Sequence, residues 1–146
     1  MDHSNTDRSS SINARRVNER ESICRREGTS IAMATHTGVH RDALNPNELL
    51  LASVAGCLIR SIEKCTPAMK FALRDIQVKV EGVIQDIPPQ LTGIRYQLIL
   101  DTDESDRRIE DLHRQLQRHG TICNTLSLSL NIEGSVRRAD PVTGYQ

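Results

Sequence analysis

The sequence predicts an α+β fold with the order β-β-α-β-β-α-β, and three observations carry that prediction. Several segments alternate apolar and polar residues with period two, the mark of half-buried strands. A complete helix-start signature opens the longest apolar run, and a second, charged segment carries apolar residues at helical spacing. The strands come as hairpin-like pairs interrupted by helices, which favours α+β over a parallel α/β sheet.

Residues 1–19 are polar, rich in Ser, Asn and Arg, and aperiodic, so they read as a flexible extension whose first ten or so residues (roughly) lack structure. One domain is expected over 20–138, followed by a short tail, 139–146. The runs 21–26 and 30–35 flank a break containing Gly28 and predict a hairpin. A loop, 36–44, follows.

Asn45-Pro46-Asn47-Glu48 then supplies an N-cap side chain, a proline at the first helical position, and a glutamate whose carboxylate can reach back to the cap. The helix is expected to end at Lys64 or Cys65, before Thr66-Pro67. Leu49, Leu50, Leu51, Ala52, Val54, Ala55, Leu58, Ile59 and Ile62 leave it no polar face before Arg60. A helix apolar on all sides is surrounded by protein. One chain of 146 residues supplies that cover with difficulty, so a second copy is expected to provide part of it.

Ile76, Val78 and Val80 alternate with polar residues, as do Ile94, Tyr96, Leu98 and Leu100, with Pro88-Pro89 marking the break between these strands. Across 103–119, Ile109, Leu112 and Leu116 lie at i, i+3 and i+7 of a charged helix. Its acids come early and its bases late, in accord with the helix dipole, and Gly120 is the expected stop. Leu126, Leu128, Leu130 and Ile132 alternate with polar residues and predict the last strand.

The chain has 19 basic and 19 acidic residues and only three aromatics, Phe71, Tyr96 and Tyr145. A neutral charge argues against nucleic-acid binding, and so does the lack of rings on which bases stack. The longest apolar run, 49–59, is far short of the roughly 20 residues of a membrane span. The N-terminus has no apolar stretch and hence no secretory signal, so a cytoplasmic protein with reduced cysteines is expected.

The four cysteines are the residues with chemistry to explain. Cys57 and Cys65 are eight positions apart on one helix, about 12 Å along its axis. A disulfide needs Cα atoms within roughly 7 Å, so they cannot bridge while the helix is intact. Cys57 is also too deep in the helix for the dipole to activate it; a reactive Cys57 needs a nearby cation. The alternative is that the cysteines are small buried hydrophobes. There is no Cys-x-x-Cys, and the five histidines have no metal-ligand spacing, so no metal is expected. His113 and His119 read as solvated helix residues.

The stretch Asn45-Pro46-Asn47-Glu48-Leu49-Leu50-Leu51-Ala52-Ser53-Val54-Ala55-Gly56-Cys57 resembles the Asn-Pro-x-Glu-Leu-…-Ala-x-Cys helix of the OsmC/Ohr family, the osmotically inducible and organic-hydroperoxide-resistance proteins. The similarity continues through Asp75-Ile76-Gln77-Val78-Lys79-Val80-Glu81-Gly82. It ends at Cys123, placed like the family's second cysteine between the second helix and the last strand, and covers residues 20 to 137.

The resemblance implies an OsmC-like, intertwined homodimer with both central helices buried. It also implies a cysteine-based peroxidase that reduces organic hydroperoxides without metal or organic cofactor. In that mapping Cys57 is the peroxidatic thiolate, which becomes a sulfenic acid, and Cys123 is the resolving thiol that condenses with it to a disulfide. A lipoyl-type or other small dithiol would restore the thiols. Arg41, in the loop before the helix, takes the place of the activating cation; Arg25 and Arg26 are alternatives, and each also reads as a solvated surface arginine.

Two positions depart from the pattern. In the hydroperoxide-resistance branch an acidic residue lies ten positions before the cysteine, where this chain has Asn47. The adjacent Glu48 agrees with the broader OsmC-like branch, but its direction around the helix differs by about 100°. Glu48 therefore has two readings, a partner of the activating arginine or a cap. The usual Cys-Pro is Cys123-Asn124 here. These departures leave open two further readings: a non-catalytic OsmC-like protein binding a small lipophilic or thiol ligand at the dimer interface, and a redox sensor.

Overall fold

The computed structural model describes residues 7–38 and 42–140. The chain forms two compact units, Met1–Leu49 and Leu50–Gln146. Its architecture is α+β, with two three-stranded sheets and three helices among the described residues.

The first unit contains an antiparallel sheet of β1 (Asn13–Arg16), β2 (Glu21–Arg26) and β3 (Thr29–Ala34), in that order. β2 and β3 are the expected hairpin. They turn through Gly28, whose φ of 71° lies in the left-handed region that favours glycine. β1 falls inside the stretch expected to be a flexible extension. Its four side chains are all exposed, so the strand leaves no apolar period in the sequence; its pairing with β2 is a backbone matter. The Asn18 side chain shapes the connection, accepting from the backbone N–H groups of Arg20 (2.8 Å) and Glu21 (3.0 Å).

The capping residues meet as the sequence predicts. The Glu48 amide donates to Asn45 Oδ1 at 2.8 Å, and the Asn45 amide donates to Glu48 Oε1 at 3.0 Å. They begin α1 (Pro46–Met69), which runs past Pro67, four residues beyond the expected end at Cys65. The extension has a visible support. Arg108 donates through Nη2 to the carbonyls of Met69 (2.7 Å) and Lys70 (3.2 Å), which a helix end leaves without internal partners.

In the second unit, β4 (Asp75–Asp86) and β5 (Pro89–Asp101) form a long antiparallel hairpin, and β6 (Asn131–Arg138) lies parallel to β5 on its other side. A parallel neighbour requires a crossover, here built from α2 (Asp106–Leu116) and a short helix, α3 (Thr121–Leu126). α3 and the start of β6 correct the sequence reading. Leu126 ends a helix, Leu128 is 86% exposed, and the strand begins only at Asn131. The alternation of leucines is interrupted because the Ser127, Ser129 and Leu130 amides bond back to the carbonyls of Cys123 and Leu126. Cys123 accordingly lies on α3.

The core of this unit joins one stripe of α1 (Val54, Leu58, Ile62, Cys65) to the inner row of β5 (Ile94, Tyr96, Leu98, Leu100) and the apolar face of α2 (Ile109, Leu112, Leu116). Each such side chain contributes about 1.5–3 kcal/mol by leaving water. The register places Ile132, Gly134 and Val136 of β6 opposite Ile94, Tyr96 and Leu98. No helix among the described residues is long and apolar enough to cross a membrane.

Candidate thiol site

Cys57 lies three turns into α1, immediately before the core residue Leu58, and Ser61 follows one turn later on the same side. Both sulfur and hydroxyl face the start of α3. A Cβ placed on Gly120 would lie 2.7 Å from Cys57 Sγ, 3.6 Å from Ser61 Oγ and 3.6 Å from Cys123 Cβ. The backbone φ of Gly120 is an ordinary −90°, so glycine is required here for space and not for conformation. The absent side chain is what lets the α3 backbone come down onto the Cys57 sulfur.

Cys123, near the start of α3, is thereby brought beside Cys57. Burial first, then the neighbouring Cys57, pushes the Cys123 thiol up to about 11. These effects keep the proton on Cys123 at neutral pH. All four cysteines are free thiols.

A second polar pair lies within the same core. Tyr96 is 8% exposed on the inner row of β5, and its ring occupies the space where a side chain at Gly134 would stand: a Cβ there would fall 1.8 Å from the ring. Its hydroxyl lies 2.7 Å from His113 Nε2 on α2, with the rings edge to face at 5.8 Å. Burial, then the charge of Cys123, push the Tyr96 hydroxyl up to about 12, and burial lowers His113 below the usual imidazole value. The phenol and the imidazole thus share one hydrogen bond, its donor set by which ring nitrogen carries the proton.

Of the four site residues expected from the sequence, Cys57 and Cys123 come together. Glu48 is engaged with the Asn45 amide as a cap. Arg41 lies outside the described residues; Arg25 and Arg26 lie on the exposed end of β2 in the first unit. Among the described residues no three His, Cys, Asp or Glu side chains gather as metal ligands. His113 is half-buried and hydrogen-bonded, which corrects its reading as a solvated helix residue. A signal was present: His113 follows the buried Leu112 and lies four residues after the buried Ile109, at the edge of the apolar stripe. Gly134, Gly120 and Ser61 left no such trace, because their importance comes from what the fold places against them.

The OsmC-like protein family model matches residues 39–134. No curated protein matches the chain. Among solved structures, the fold is similar to that of an OsmC-like protein from Mycoplasma pneumoniae, with a TM-score of 0.83 at 17% identity, over 92% of this chain and 100% of that one. It is also similar to an organic hydroperoxide resistance protein OsmC from Legionella pneumophila, with a TM-score of 0.72 at 19% identity, covering 89% and 98% of the two chains. An organic hydroperoxide resistance protein from Elizabethkingia anophelis gives a TM-score of 0.73 at 13% identity, covering 91% and 99%. At these identities the solved structures speak for the fold, and the family model speaks for descent: the chain belongs to the OsmC-like protein family.

Proposed function

We propose that the protein is a thiol-dependent peroxidase that reduces organic hydroperoxides in oxidative stress defence, with Cys57 as nucleophile and Cys123 as resolver. The observation that carries this reading is the approach of two free thiols, one from α1 and one from α3, across the gap left by Gly120. Two structurally similar proteins named for hydroperoxide resistance agree with it.

The Cys57 thiolate attacks one oxygen of the hydroperoxide; the O–O bond breaks, the alcohol leaves with a proton, and Cys57 becomes a sulfenic acid. Cys123 then attacks the Cys57 sulfur, water departs, and a disulfide remains. A small dithiol, lipoyl-type or similar, reduces that disulfide and leaves as its own cyclic disulfide. The half-buried Ile122 and Leu126 on either side of Cys123 favour an apolar peroxide over hydrogen peroxide. Arg41 is the proposed activating cation. Glu48, already bonded to its cap, is proposed to act only by fixing the start of α1.

We further propose a homodimer in the cytoplasm, with residues 20–138 as the working domain. α1 buries one stripe, while Ala52, Ala55, Gly56 and Ile59, at i, i+3, i+4 and i+7, stay at least partly open, and nothing stands within 4 Å of a Cβ added to Gly56. Small residues at this spacing suit the close approach of a second helix. Light scattering should give twice the chain mass; a stable monomer at micromolar concentration would defeat the dimer.

The deciding test is peroxide consumption with a dithiol reductant in wild type, Cys57→Ser and Cys123→Ser. Turnover in the wild type that vanishes in Cys57→Ser supports the mechanism, and undiminished turnover in Cys57→Ser sinks it. A wild type inactive with every dithiol would favour the non-catalytic ligand-binding reading, which the engagement of Glu48 in its cap favours structurally.

A further inference from the structure

We propose that the Ser61 hydroxyl receives the oxygen of the Cys57 sulfenic acid and holds it by a hydrogen bond while Cys123 displaces it. The proposal rests on the peroxidase reading for its setting, and it concerns a residue that the thiol chemistry above leaves unused.

Ser61 falls between Arg60 and Ile62, where α1 stops being apolar on all sides. A serine inside a helix ordinarily turns to water or bonds back to a carbonyl of the preceding turn, as Ser53 does to Leu50 at 2.7 Å. Ser61 does neither. It is 6% exposed, and among the described residues its hydroxyl has no hydrogen-bond partner. No fully enclosed side-chain oxygen among the described residues lacks a partner, so Ser61 Oγ opens onto space that an oxygen atom can enter. An unpaired hydroxyl in a buried residue is destabilising, and its presence asks for a use.

The packing of α3 fixes where that hydroxyl opens. Cys57 and Ser61 are four residues apart on α1, and side chains so spaced start about 5–6 Å apart on one side of a helix. A Cβ placed on Gly120 would stand 2.7 Å from Cys57 Sγ, 3.6 Å from Ser61 Oγ and 3.6 Å from Cys123 Cβ. One point, kept clear because residue 120 is glycine, is thus in contact range of the reacting sulfur, the hydroxyl and the second cysteine. Sulfur and hydroxyl border the same gap, and an oxygen added to the sulfur enters the space that the hydroxyl faces.

The step balances. Cys57 carries the sulfenic S–O–H after it has reduced the hydroperoxide, and Ser61 Oγ–H donates to that oxygen. Cys123 attacks the Cys57 sulfur; the S–S bond forms and the S–O bond breaks. The departing oxygen keeps its own hydrogen, takes up the proton released by Cys123 and leaves as water. Cys123 is oxidised, the sulfenic sulfur is reduced, and the Ser61 proton stays on Ser61 throughout. Negative charge grows on the oxygen as it departs, so the hydrogen bond is stronger in the transition state than before it. Because it touches the leaving oxygen, Ser61 is a catalytic residue of this step.

The test follows disulfide closure at pH 7 in wild type, Ser61→Ala and Ser61→Thr, the last keeping the hydroxyl. After a pulse of organic hydroperoxide, dimedone counts the Cys57 sulfenic acid and peptide mass spectrometry counts the Cys57–Cys123 disulfide, so the two time courses give the closing rate. A second arm loads Cys57 with an aryl disulfide, from which Cys123 expels the aryl thiol and no oxygen departs. Ser61→Ala should close about 10-fold more slowly in the first arm and at the wild-type rate in the second. Ser61→Thr should stay near wild type in both. The urea midpoint of Ser61→Ala should match or exceed that of wild type, because an unpaired hydroxyl is lost and alanine favours the helix. Equal slowing in both arms would reveal a general loosening of the site and overturn the proposal, as would no slowing in either. If the organic hydroperoxide leaves wild-type Cys57 unoxidised, the peroxidase reading fails; a forcing excess of hydrogen peroxide then supplies the sulfenic acid, and the same comparison still decides Ser61. If neither oxidant yields it, both fall.

Discussion

Cys24 and Cys123 are both thiols screened from water, yet their surroundings give them opposite prospects. Cys24, 9% exposed on β2, has its hydrogen toward Met33 Sδ at 3.5 Å, a neutral thioether that can neither take a proton nor accept a second sulfur bond without destroying itself. Cys123 faces a second thiol across the gap left by Gly120. Burial is common to both. What separates them is the neighbour, and the redox role proposed for Cys123 follows from the group it faces.

That contrast can be broken by experiment, most forcefully at the nucleophile. Cys57→Ser should lower dithiol-supported peroxide turnover by roughly three orders of magnitude or more, while Cys24→Ser leaves it near wild type. Comparable losses in both would erase the distinction. The next effect is on stability: Leu58→Ala, beside Cys57 in the core and 4% exposed, should lower unfolding free energy by about 2–5 kcal/mol in urea titrations. Ile31→Ala, 50% exposed opposite Cys24, should change it by less than about 1 kcal/mol. Gly120→Ala tests the close approach itself. It should cost about 1–3 kcal/mol and slow formation of the Cys57–Cys123 disulfide, because the new methyl displaces the Cys57 sulfur. A variant that closes at the wild-type rate would show that the sulfur tolerates displacement.

The smallest effect is electrostatic. Folding keeps the Cys123 proton on above the ordinary 9.0, to about 11, and the Tyr96 proton on above 10.0, to about 12. Over pH 9 to 12 the native state thus binds more protons than the unfolded chain, and stability should fall as pH rises through that window. His113 has the opposite sign: its lowered value means stability lost as pH falls below 6.5. In urea midpoints, Cys123→Ser should flatten the lower part of the alkaline decline.

The elements that bury a face against their own unit were legible as periodicity: the hairpins, α2 and the capped start of α1. β1 was hidden because an edge strand with four exposed polar side chains carries no period. The leucine alternation at 126–132 was misleading because alternation records which residues are apolar, and Leu128 is exposed despite it. Cys57 and Cys123 could be singled out by resemblance, yet their meeting depends on a glycine that reads only as a helix stop. Tyr96 and His113 are 17 residues apart in two elements, and no local pattern couples them. Pairings across elements are properties of the packed unit, and a linear reading reaches them only through a family pattern.

The positions of the two thiols along the chain have a mechanical consequence. Cys57 lies on α1 and Cys123 on α3, so a bond between them would enclose β4, β5 and α2 in one covalent loop. Closing a loop of that length removes chain entropy from the unfolded state worth about 4 kcal/mol. Oxidation would therefore lasso the greater part of the second unit and make it harder to unfold, while each reduction slips the knot. A protein working this cycle would be most vulnerable to proteolysis when fully reduced, and its resistance to digestion would report how much peroxide it has recently met.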